Sequence, residues 1–107
     1  MPVGAISPLE LQARMAANRE LVLVDVREPW ENATAKIDGA KLIPLNVLPQ
    51  RLGELSKDAE LVFHCHHGMR SLRACEFAVS QGYAHVANLT GGIDAWSSDA
   101  DPRVPRY

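Results

Sequence analysis

Apolar residues fall along this chain in short blocks, set apart by stretches patterned for helices. Residues 21–26 read Leu-Val-Leu-Val-Asp-Val, the branched run expected of a strand covered on both faces. Residues 41–44, 60–64 and 85–89 form three further extended segments, the second of them ending directly on Cys65 and the last running into Gly91-Gly92. The first helix is predicted from Ser7-Pro8-Leu9-Glu10, with serine as cap, proline in the first turn and glutamate reaching back to the cap amide. It should run to Asn18, with Leu11, Met15 and Leu9 facing the core. Helices are also predicted over 29–35, 47–55, 71–81 and 93–97, with Gly82 terminating the 71–81 helix. Strands separated by helices imply an α/β domain whose parallel sheet is covered on both faces. Ligands bind such sheets at the carboxyl ends of strands, which draws attention to Cys65.

Composition narrows the class. The 107 residues suit one domain spanning 1–107, with no linker, low-complexity tract or repeat. Thirteen acidic against 11 basic side chains give a formal charge of −2, without the basic excess that a nucleic-acid or membrane-surface protein needs. Two cysteines, Cys65 and Cys75, cannot form a disulfide scaffold. No signal peptide is read in Met1–Ala5, and no run approaches the roughly 20 apolar residues of a membrane span, so the expected location is cytoplasmic. A cysteine flanked by His64, His66 and His67 remains to be explained.

The run Cys65-His66-His67-Gly68-Met69-Arg70-Ser71 joins a buried-looking strand to an amphipathic helix. Such a loop can turn successive backbone N–H groups inward as an anion cradle, and Gly68 supplies the freedom to curl. A thiolate there is stabilised by the amides, the helix dipole and a neighbouring cation. Arg70 offers a planar fork of donors for an oxyanion. The expected chemistry is nucleophilic attack by sulfur on an anionic substrate.

Three segments together resemble the single-domain rhodaneses, the thiosulfate sulfurtransferases and related persulfide carriers. These are Asp25-Val26-Arg27-Glu28, Cys65-x-x-Gly68-x-Arg70-Ser71 and Leu89-Thr90-Gly91-Gly92-Ile93-Asp94-Ala95-Trp96. The resemblance covers nearly the whole chain and implies a five-stranded parallel sheet flanked by helices. It implies a double displacement: Cys65 takes a sulfane sulfur from thiosulfate or a persulfide and passes it to cyanide or a thiol. It further implies a cradle of the His66, His67, Gly68, Met69 and Arg70 amides, an Arg70 side chain on the substrate anion, and Asp25 and Arg27 bracing the loop. Ser71 completes the binding loop. A protein sulfur donor or acceptor is an expected partner, and neither a cofactor nor a metal is called for. Where many members read His-Ile-Pro-Gly-Ala, this chain has Lys36-Ile37-Asp38-Gly39-Ala40.

Other readings compete. Cysteine phosphatases place five residues between cysteine and arginine, and this loop has four, giving a narrower cradle. His64, Cys65, His66 and His67 are metal-ligand types, but consecutive residues cannot converge on one ion; two of them with His85 form the alternative. His66 and His67 read chiefly as suppliers of backbone amides, with imidazoles able to add positive potential near pH 6.5. Cys75 shares a stripe with Leu72 and Val79 and reads as a small buried hydrophobe, and Trp96 as a packing anchor. A non-turnover persulfide relay for a partner protein uses the same cysteine and cradle.

Overall fold

The computed structural model describes residues 3–18 and 20–107. Met1 and Pro2, the start of the segment read as free of a signal peptide, lie outside them. Five parallel strands form one sheet in the order β1-β5-β4-β2-β3: β1 Val3–Ile6, β2 Val22–Asp25, β3 Lys41–Leu42, β4 Leu61–His64 and β5 Val86–Leu89. The helices are α1 Pro8–Ala17, α2 Pro29–Thr34, α3 Leu48–Arg51, α4 Met69–Ser80 and α5 Gly92–Asp99. The expected α/β architecture is the one observed.

Strand alternation builds two cores. Val24, Leu61 and Phe63 point to one face, where they meet Leu48 of α3 and Ala74, Cys75 and Ala78 of α4. Leu23, Val62 and Leu89 point to the other, against Leu11 of α1 and Ile93 and Trp96 of α5. Cys75 and Trp96 are buried as their patterns suggested. The capping box at Ser7 and Glu10 is formed, with Ser7 Oγ accepting from the Glu10 amide at 3.1 Å.

Several expectations need correction. Leu9 and Leu72 are exposed, so the buried stripe of α4 runs through Ser71, Ala74, Cys75 and Ala78 rather than through Leu72. Strand β3 is two residues long, at the sheet edge, where Pro44 is tolerated because its nitrogen faces away from β2. Beyond it only the Ile43 and Leu45 amides reach the Asp25 and Val26 carbonyls, at 2.8 and 3.0 Å. The segment expected as one helix over 47–55 is α3 with a 3-10 turn on each side. Helix α4 begins at Met69, two residues earlier than predicted.

From β2 the chain moves outward to β3, and from β4 it moves the opposite way to β5. The loops leaving β2 and β4 therefore part at the carboxyl edge of the sheet and open a crevice, the usual ligand position in open parallel sheets. Cys65 lies at that point.

Candidate active site

Residue Cys65 follows β4 directly, and the chain then curls into α4 through Gly68 at φ +114°. Gly68 caps the helix but has no side chain to accept its first amides. The cysteine sulfur takes that place. Sγ accepts from the Gly68 amide at 3.1 Å, and the backbone N–H groups of Arg70 and Ser71 also serve it. Burial works against a thiolate here, but the Ser71 hydroxyl and these amides outweigh it and hold the thiol below its usual pKa.

A second shell of contacts fixes the loop. Asn88 on β5 accepts from Ser71 Oγ at 2.5 Å and donates Nδ2–H to the Gly68 carbonyl at 3.1 Å. The Ser71 hydroxyl has one proton, and the Asn88 contact is much shorter than its 3.4 Å approach to Sγ. The hydroxyl stabilises the thiolate when its proton turns to Sγ, at the expense of the Asn88 bond. On the other side, the Cys65 and His66 carbonyls accept from the Ile93 and Asp94 amides of α5, at 2.9 and 3.1 Å. The peptide planes of the loop are locked between two helix N-termini.

His64 is wholly buried, with Nδ1 3.4 Å from the Cys65 carbonyl and Nε2 4.0 Å from Asp25 Oδ1. Burial pushes its pKa down to about 4 despite the pull of Asp25, so it is neutral at pH 7. His66 and His67 stack on each other, centroids 4.0 Å apart, and His66 stacks on Tyr107 at 4.1 Å. Burial and the neighbouring His67 lower the His66 pKa. With Asp94 they bring three metal-ligand atoms within 4.8 Å of one another. Their ring planes lie 21° apart, however, so the in-plane lone pairs run side by side and one ring must turn to share an ion. Asp94 is already paired with Arg106 at 3.0 Å. His85 precedes β5 at the far end of the sheet and cannot join them.

Carboxylates hold both arginines of the site. Arg27, with no exposed surface, spends its N–H groups on both Asp25 oxygens, the Glu31 and Ala35 carbonyls and Tyr107 Oη. It braces α2 and the 101–107 segment, and reaches the 65–71 loop through Glu31, which pairs with Arg70, and through Tyr107, which stacks on His66. The Arg70 guanidinium forms a two-pronged pair with Glu31, at 2.7 and 2.9 Å. Glu31 also accepts from Tyr107 Oη at 2.7 Å, and the Arg70 pairing outweighs burial to bring its pKa to about 2. Met69 and Trp30 are exposed at 71% and 62%. Lys36 and Asp38, where the chain departs from the family pattern, line a cavity of about 450 Å³ between α2 and residues 101–105, away from the sulfur.

Glu31, Asn88 and Tyr107 are site residues that sequence reasoning missed. Asn88 had a signal, since it is a lone amide in an otherwise apolar strand. Glu31 and Tyr107 had none, because 39 and 76 residues separate Glu31 from its two partners.

The model of the rhodanese-like domain matches residues 7–99. A sulfurtransferase of Allochromatium vinosum is 39% identical over 102 residues, covering 95% of each chain. The thiosulfate sulfurtransferase GlpE of Stutzerimonas stutzeri is 33% identical over 85 residues, covering 79% of this chain and 78% of that one. The crystal structure of a rhodanese-related protein from Thermoplasma volcanium superposes with a TM-score of 0.84 at 28% identity, covering 97% and 99% of the two chains. With the cysteine loop, the sheet order and these relatives in agreement, the chain belongs to the rhodanese-like family and groups with its single-domain sulfurtransferases.

Proposed function

We propose that this domain transfers sulfane sulfur through a persulfide on Cys65. The observation that carries the reading is the Cys65 sulfur seated on the amides of Gly68, Arg70 and Ser71 at the start of α4. Those amides and the helix dipole favour negative charge on sulfur both before and after loading. In the first half-reaction the thiolate attacks the outer sulfur of thiosulfate or of a persulfide. A Sγ–S bond forms, the donor S–S bond breaks, and sulfite or a thiolate leaves with the electron pair. In the second, cyanide or a thiol attacks the outer sulfur and Cys65 departs as thiolate. The loop from His66 to Ser71 is the proposed binding cup, with Cys65 its only covalent participant. The relative that acts on thiosulfate supports this class of donor. The cycle requires a reduced Cys65, which suits a reducing compartment such as the cytoplasm.

The test is an intact mass after incubation with thiosulfate or a low-molecular-weight persulfide. A gain of one sulfur atom, removed by cyanide and absent from Cys65→Ser, is the expected result. Sulfur retained by Cys65→Ser would overturn the assignment.

A further inference from the structure

Each guanidinium described above around the sulfur is matched to a carboxylate. Arg27 pairs with Asp25 inside the fold and Arg106 with Asp94 at the rim. Arg70, the cation that the loop itself presents, is held by Glu31 through both Nη atoms. Glu31 is only 3% exposed and is itself fixed by further donors: the Glu28 amide at 3.0 Å on one oxygen and Tyr107 Oη at 2.7 Å on the other. Tyr107 is pinned in turn by Arg27 Nη1 at 2.8 Å and by its stack on His66. A carboxylate held from several directions does not follow Arg70 outward. The fork therefore faces Glu31, and its charge is neutralised at contact distance.

A donor arriving at Cys65 meets a cup of amides without net positive charge from these pairs. Thiosulfate is a dianion, and the Nη1–Nη2 edge of Arg70 is already taken by a buried carboxylate that keeps its own charge, which leaves thiosulfate the outer N–H groups of a neutralised cation. A thiol persulfide, R–S–SH, makes no such demand and needs only to place its outer sulfur against Sγ. We infer that Glu31 is a positioning residue that sets donor choice, holding Arg70 so that the cup favours thiol persulfides over thiosulfate. This rests on the sulfurtransferase reading above. The favoured step is attack of the Cys65 thiolate on the outer sulfur: the new Sγ–S bond replaces the donor S–S bond, R–S⁻ leaves with the electron pair and Cys65 keeps the persulfide, with no change in overall oxidation state.

The experiment compares Cys65 loading from the persulfide of 2-mercaptoethanol, whose carrier bears no charge, and from thiosulfate in the wild type, Glu31→Gln and Tyr107→Phe. The wild type should load faster from the 2-mercaptoethanol persulfide. Glu31→Gln removes the competing charge while keeping the shape, and should lower the thiosulfate KM roughly fivefold, the upper end for one partly exposed charge contact. That KM should then rise with added salt, while the persulfide KM stays within about twofold at all salt concentrations. Tyr107→Phe removes one donor from Glu31 and should shift the donor ratio the same way by a smaller factor. It also decides the matter should Glu31→Gln fail to fold. General damage to the fold would slow both donors together and leave their ratio unchanged. A ratio unmoved in the variants that fold, or a wild type that prefers thiosulfate, overturns the inference and leaves the sulfurtransferase reading standing. A wild type that neither donor loads overturns both.

Discussion

Replacing Gly92 with alanine tests whether α5 is the abutment that aims the cysteine loop. Gly92 opens α5 at φ +62°, a conformation that costs an L side chain about 1–2 kcal/mol. An added Cβ would stand 2.4 Å from the His66 carbonyl oxygen and 2.6 Å from that of Cys65. Both are backbone atoms, so no rotamer relieves the overlap and the helix must back away. Overpacking of this kind costs about 1–3 kcal/mol. Withdrawal also loosens the two bonds from the Ile93 and Asp94 amides, worth about 1 kcal/mol each. The expected loss is about 3–5 kcal/mol, a large part of the stability of a small domain. Gly68→Ala is the matched control: it also needs positive φ, at +114°, but its nearest neighbours would lie at 3.7 Å, leaving backbone strain of about 1–2 kcal/mol alone. Urea unfolding at pH 7 gives both values, and sulfur loading should slow in Gly92→Ala because the peptide planes behind the cup have moved. If Gly92→Ala proves no less stable than Gly68→Ala, the abutment is not what fixes the loop.

Two further outcomes follow from the titrating groups. His64 is neutral in the fold down to about pH 4 but binds a proton near pH 6.5 when unfolded, so its contribution is complete above 6.5 and lost as pH falls toward 4. Wild-type stability should therefore drop by about 2–3 kcal/mol between pH 7 and 4.5 on this account, and His64→Gln should flatten that slope; parallel urea profiles for the two proteins would contradict it. Burial pushes the Cys75 thiol up to about 12 while the Cys65 thiol is lowered, so iodoacetamide at pH 7 should mark Cys65 and reach Cys75 only on unfolding. Peptide mapping that finds both marked equally in the native protein would refute that order.

What the sequence made legible followed from local physics. The Ser7–Glu10 cap, the 21–26 and 60–64 runs and the turn at Gly68 each carry their signal within a few residues. Strand β1 was not legible by pattern, since Val3-Gly4-Ala5-Ile6 is short and lies at a sheet edge, and the fifth strand came only with the family resemblance. Strand β3, at the other edge, is shorter than its 41–44 pattern suggested. Leu72 misled because it belongs to a helical stripe one position away from the one that small residues pack against the sheet. The cysteine and its amides could be read from the loop. The restraint on Arg70 could not, because it depends on Glu31 and Tyr107 arriving from distant parts of the chain and on how deeply that carboxylate is set.

The deep placement of Cys75 has a consequence for the lifetime of the loaded protein. Only two cysteines exist in the chain, and Cys75 is packed without exposure among Val24, Phe63 and Ala78 with its thiol protonated at neutral pH. It is therefore no nucleophile toward a sulfur carried on Cys65, and the cargo has no internal route of escape as a disulfide. In the proposed cycle, discharge of Cys65 therefore waits on collision with an outside acceptor. Under the proposed cycle, the time a sulfur stays on Cys65 is set by the arrival of that acceptor.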